Sequence, residues 1–128
     1  KQEYKQTEGD PQTKADRRAL AEELILHGSQ QNVANADAVI TNPAHIAVAI
    51  KYDRANNTAP VVVAKGMRKN AEKIKELARK AGVPILRNVP LAHALNKLGI
   101  DEEIPEELYE AVAEILNFIY ELKAKGKI

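Results

Sequence analysis

Apolar positions along this chain switch between two periods. Over 14–27, Ala15, Leu20, Ala21, Leu24 and Ile25 recur at three-to-four spacing and Gly28 follows as a helix-ending residue, which predicts an amphipathic helix. Residues 37–41 (DAVIT) and 45–52 (HIAVAIKY) read instead as strands. In the second, Ile46, Val48, Ile50 and Tyr52 share one face and Ala47 and Ala49 the other, so both faces are apolar and the strand is expected to be central, covered on both sides. A turn cluster at 53–59 precedes a β-branched run at 60–65 (PVVVAK), which Gly66 is expected to close.

Beyond Gly66 the period returns to that of a helix. Met67, Ala71, Ile74, Ala78 and Ala81 form one stripe over 67–81, Gly82 is the stop, and Arg68, Lys69, Lys73, Lys75, Arg79 and Lys80 surround the rest as a basic outer face. Residues 83–88 (VPILRN) predict a short strand, and Pro90 suits the first turn of a short helix whose Leu91, Leu95 and Leu98 face inward. The last helix carries Leu108, Val112, Ile115, Leu116, Ile119 and Leu122 on one side, with Glu106, Glu107 and Glu110 early and Lys123, Lys125 and Lys127 late, as the helix dipole favours. Strands alternating with helices predict an α/β fold: a single small domain with a sheet of about four strands flanked by helices. The polar start and its helix, 1–36, read as a linker arm ahead of a globular part, 37–128.

Composition narrows the function classes. A chain of 128 residues, 45% hydrophobic, supports one modest core. With 19 basic against 18 acidic residues there is no global field to draw it onto nucleic acid, and 4% aromatics leave little for stacking on bases. The absence of cysteine removes disulfides and thiol catalysis. No stretch approaches the ~18 consecutive apolar residues of a membrane span, and the start, KQEYKQTEGDPQTK, lacks the apolar centre of a signal peptide, so the chain as it stands is expected to be soluble.

Cofactor chemistry finds no foothold. No glycine-rich phosphate loop follows a strand, and His27, His45 and His93 lack metal-ligand spacing, so neither a nucleotide nor a metal is expected and a small-ligand enzyme has no support. His27 precedes a helix-ending glycine, where a histidine caps carbonyls or is solvated. His93 is expected on the outer face of the short helix, beside Asn96 and Lys97, in solvent or against a partner. The basic face is interrupted by Glu72 and Glu76, which favours a solvated surface, with a protein partner second.

Asn42-Pro43 is different, because residue types and order there permit a reaction. Asparagine usually ages when the next backbone N–H attacks its side-chain carbonyl, and Pro43 has no N–H. The reverse attack stays open: the Asn42 side-chain nitrogen reaches its own main-chain carbonyl, closes a five-membered succinimide and expels the Pro43 nitrogen. An amide nitrogen is a poor nucleophile, so such a site needs a held turn, oxyanion donors and a proton acceptor. His45 lies two residues past the bond, and histidine is the residue type that titrates near neutrality. By itself an Asn-Pro step marks a turn far more often than a scissile bond.

Longer stretches carry a resemblance. VITNPAHIAVAIKYD, APVVVAKG, AGVPILRNVPLAHAL and IPEELYEAVAEIL, preceded by YKQTEGDP, resemble the cytoplasmic domain of the FlhB/YscU/SpaS family, the substrate-specificity switch proteins of flagellar and injectisome type III export. The resemblance implies self-cleavage between Asn and Pro within an Asn-Pro-Thr-His sequence, the pieces staying together. Asn42 would then be the cyclising residue, Pro43 the leaving group and His45 the assisting residue, with no cofactor and no external substrate. Ala44 stands where the family has Thr, which removes a hydroxyl from the turn and implies slow or absent cleavage, and hence, as the alternative, a protein-docking module of the same export apparatus, of the injectisome branch, that stays whole. His93 and Asn96 likewise replace the usual Arg and Tyr. The AKG after the third strand resembles the flagellar branch more than the injectisome branch. The resemblance also implies membrane helices ahead of the arm, a place at the cytoplasmic side of the bacterial inner membrane, and contacts with export substrates, other export-gate components and a ruler protein.

Overall fold

The structure, a computed structural model, describes residues 30–43, 45–55 and 58–126. The helix expected over 14–27, the arm before it, Ala44 and Lys127 lie outside the described residues. Four strands form one sheet: β1 (Ala38–Asn42), β2 (Ile46–Lys51), β3 (Val61–Met67) and β4 (Ile85–Arg87), in the order β3-β2-β1-β4. The β1–β2 and β2–β3 pairs are antiparallel, whereas β4 lies parallel to β1. Among the described residues, helices α1 (Lys69–Ala81), α2 (Val89–Asn96) and α3 (Tyr109–Ala124) flank the sheet, α3 entered through a single 3-10 turn, Glu106–Leu108. This is the expected α/β architecture.

Alternation along the two central strands divides the core. Ile40, Val48 and Ile50 point to the face covered by Leu91 and Leu95 of α2 and by Val112, Leu116 and Ile119 of α3. Val39, Ala47 and Ala49 point to the other face, under Ala71, Ile74 and Ala78 of α1 together with Val33 and Ala36. Small residues on that face let α1 approach closely, and Gly66 does the same from β3: a Cβ built on it would lie 2.7 Å from the Asn70 Cβ. A register shift in the β2–β3 ladder leaves Val63 without a cross-strand partner, and its carbonyl accepts the Asn32 side-chain amide at 3.1 Å. The outer edge of β3 is covered by the 101–104 segment, with Val62 N–H donating to Glu102 and Asp101 N–H to Val62.

Several boundaries differ from the pattern. β1 runs one residue further, to Asn42, and β3 passes through Gly66 to Met67. Met67 is therefore an exposed strand residue and not part of the α1 stripe, and Ala81, in the last turn past the sheet, is exposed too. Arg68 sits between strand and helix at φ 55°, ψ −116°, a left-sided conformation costly for a residue with a Cβ. Gly82 takes the left-handed position that ends α1.

Candidate functional site

The candidate site is the connection between the two central strands. Asn42 closes β1, pairs with Ile46 at the start of β2, and leaves the chain 43–45 to reverse direction. The His45 N–H donates to the Asn42 main-chain carbonyl at 3.0 Å, which closes a four-residue turn with Pro43 at its second position, where proline's fixed φ is favourable. Ala44 lies outside the described residues. Neighbouring elements brace both ends: the Thr41 carbonyl accepts Asn88 N–H at 3.0 Å, and the His45 carbonyl accepts Arg68 N–H at 2.9 Å. Pro43 and His45 are exposed and Asn42 is half-buried.

Chemically, the Asn42–Pro43 bond has a carbonyl that already receives a backbone donor, so its oxygen is polarised toward the charge a tetrahedral intermediate would place there. The five-membered route needs only Asn42's own side chain. The second feature comes from far along the chain, where Asn42 Nδ2 lies 3.1 Å from His93 Nε2, fifty-one residues away. His93 is exposed, as the helical pattern predicts, yet its ring meets the asparagine amide. The parallel pairing of β4 with β1 explains this, because the helix following β4 starts beside the C-terminal end of β1. Recognising residues 83–88 as parallel to 37–41 was the signal that would have placed His93 at the turn.

The chain matches the FlhB HrpN YscU SpaS Family over residues 1–119. It belongs to that family. Its curated relatives include the flagellar biosynthetic protein FlhB of Bacillus subtilis, 42% identical over 98% of this chain and 35% of the relative. The hypersensitivity response secretion protein HrcU of Ralstonia nicotianae is equally similar, 42% identical over 98% of this chain and 36% of the relative. This chain thus spans about a third of the length of the curated relatives it matches. Among solved structures, the cytoplasmic domain of FlhB from Shewanella putrefaciens superposes with a TM-score of 0.75 at 39% identity, covering 80% of this chain and 81% of that one. Identity alone does not separate the flagellar from the hypersensitivity-response relative, at 42% each.

The basic residues do not form one continuous face. Arg68 precedes α1 and belongs to the bracing of the turn. Lys75, expected to project into solvent, has a side chain only 14% exposed and pairs with Glu72 at 2.6 Å, while Lys80 reaches Glu76 at 3.6 Å. Helical spacing places these acids three and four residues away, so they neutralise part of the patch. Lys69, Lys73 and Arg79 are exposed.

At the far end of β2 from the turn, a cleft of about 250 Å³ opens between Tyr52, Pro60 and α3 residues Tyr109 and Tyr120, with the Arg54 guanidinium 5.6 Å from the centre of the Tyr52 ring. It does not touch the Asn-Pro turn. Burial pushes the Tyr120 phenol above its ordinary value of 10.0, with the Asp37 charge adding to the shift. Among the described residues no cluster of acidic residues or histidines is placed to hold a metal, and no helix is long and apolar enough to cross a membrane.

Proposed function

We propose that this domain is the switch domain of a protein-export component of the flagellar type III kind, and that its Asn42–Pro43 bond breaks by cyclisation of Asn42. The observation that carries the reading is the turn itself: the carbonyl to be attacked holds the His45 N–H at 3.0 Å, and the asparagine that would attack it ends a central strand fixed on both sides. Proline supplies a leaving nitrogen and blocks the competing route. Family membership supports the same assignment.

In this reading the domain lies at the cytoplasmic side of the inner membrane, joined to a membrane region through the 1–36 arm. It contacts export substrates, other gate components and a ruler protein. Breaking the turn frees β1 from its covalent link to β2, which gives the exporter a change of surface or mobility with which to pass from early to late substrates. Exposed Lys69, Lys73 and Arg79 are available to acidic partners.

A second reading, a docking module that remains whole, is favoured by Ala44 in place of the family's threonine. The intact mass of purified protein after long incubation separates the two. Fragments 1–42 and 43–128 that are absent from Asn42→Ala support cyclisation, whereas one species throughout supports docking alone.

A further inference from the structure

We propose that His93 is the proton acceptor for cyclisation of Asn42, a role that rests on the self-cleavage reading above. An amide NH2 group only donates hydrogen bonds, so at 3.1 Å from Asn42 Nδ2 the His93 tautomer that leaves Nε2 without hydrogen accepts this bond. In that tautomer the ring turns a lone pair toward the atom that must lose a proton. His45, nearer in sequence, contributes its backbone N–H to the opposite partner of the reaction, the carbonyl oxygen. Acid-base and oxyanion functions thus come from different histidines.

The fold holds His93 where this needs it. Asn88, at the start of α2, donates its N–H to the Thr41 carbonyl at 3.0 Å and accepts the Leu91 N–H on its side chain at 3.1 Å, fixing the helix to the strand that ends in Asn42. At the other end, Lys65 Nζ reaches the carbonyls of Asn96 and Leu98 at 3.0 and 2.7 Å. Buried Leu91, Ala92 and Leu95 anchor the inner face and leave His93 on the side toward the turn. An arginine, the residue the resemblance would place here, has donors and no acceptor, and would meet the amide oxygen instead of its NH2 group. The contact is therefore a property of this chain.

The step balances within the protein. Asn42 Nδ2 forms a bond to the Asn42 carbonyl carbon and gives one of its two protons to His93 Nε2. The C–N bond to Pro43 breaks, its electron pair stays on the proline nitrogen, and the imidazolium proton is returned to that nitrogen through solvent. The products are a C-terminal succinimide on residue 42 and a free secondary amine on residue 43, with His93 neutral again.

Cleavage rates of the parent, Asn42→Ala, His93→Ala and His93→Gln, each with and without Ala44→Thr, test this. His93→Ala is expected to slow cleavage about 10²-fold without abolishing it, because the ring-forming atoms stay in place. Added imidazole is expected to restore the rate, and the more basic 4-methylimidazole to restore more, a graded response that a purely structural role would not give. His93→Gln preserves size and an accepting oxygen but cannot take the proton, so a folded but slow His93→Gln answers the case in which the alanine variant fails to fold. Cleavage of both His93 variants within about two-fold of the parent overturns the proposal while leaving self-cleavage intact. Breakage of Asn42→Ala at the parental rate, or an uncut chain even with Ala44→Thr, overturns the self-cleavage reading and this role with it.

Discussion

The ammonium group of Lys65, on β3, donates to the carbonyl of Leu98 at 2.7 Å, and a second contact to Asn96 at 3.0 Å ties the C-terminal end of α2 to the sheet. The helix leaves these carbonyls without intrahelical donors, and a cation there also complements the dipole. Lys65→Met keeps the apolar stem and removes the donor. It is expected to lower stability by about 1.5–3 kcal/mol, the usual range for hydrogen bonds to a charged group. Urea unfolding reads this as a lower midpoint at unchanged slope, and a shift below about 0.5 kcal/mol would mark the contact as an ordinary surface interaction.

Cutting between residues 42 and 43 leaves β1 with no covalent link to its neighbours, yet β1 lies between β2 and β4, both on the other fragment. Its buried Val39 and Ile40 alone contribute about 3–6 kcal/mol of apolar burial, and the ladders on both sides are untouched by the break. The fragments are expected to co-elute in native buffer and to separate in urea. Separation without denaturant would mean that β1 is held far less firmly than its burial implies.

The central strand, the helix order and the four-strand count were legible because binary patterning records which faces are buried, and β2 shows alternation on two apolar faces. The end of β3 was not, since Gly66 resembles a terminator and its actual purpose, close approach to Asn70, exists only once α1 has packed. At the site, the turn between the two central strands could be placed from the Asn-Pro step, while the His45 backbone donor needed the turn geometry. His93 was placed on the correct outer face, but its partner is set by parallel pairing of β1 with β4, a long-range property that periodicity does not encode. Lys75 shows the same limit, because which lysines remain free depends on the rotation of α1 against the sheet.

Gly66→Ala tests the close approach of β3 and α1. The added carbon would meet the Asn70 Cβ at 2.7 Å and the Ile74 Cδ1 at 3.1 Å, and the first of these is too near the helix backbone to move cheaply. Overpacking of this kind costs about 1–3 kcal/mol. A thermal midpoint equal to the parent's would show that α1 shifts outward freely.

Tyr120 makes a prediction in alkaline solution. Its folded pKa is raised above 10.0 by burial first, then by the negative charge of Asp37, with Arg54 opposing and Tyr52 adding. The folded protein then holds this proton more tightly than the unfolded chain, so Tyr120's contribution is complete below the unfolded value and is lost as pH rises through the folded one. Above pH ~10 the parent's stability is expected to fall more steeply than that of Tyr120→Phe, whose other titrating groups are the same. Parallel curves would show that the phenol is as well solvated folded as unfolded.

The His45 contribution to cleavage can be divided between its ring and its backbone. His45→Ala keeps the N–H that donates to the Asn42 carbonyl and removes only the imidazole, whereas His45→Pro removes that donor. Loss of one oxyanion donor costs about 10²–10³-fold in rate. With proton transfer assigned to His93 and the backbone donor retained, His45→Ala is therefore expected to cleave near the parental rate, and His45→Pro to be slowed by the full oxyanion factor. Ala44→Thr is expected to accelerate the parent by restoring a hydroxyl to the turn. A melting curve for each variant shows whether the hairpin survives, which matters most for His45→Pro because the His45 carbonyl still has to hold the Arg68 N–H. If a folded His45→Pro cuts as fast as His45→Ala, the backbone donor has no part in the reaction, and the carbonyl is activated by something other than the turn that encloses it.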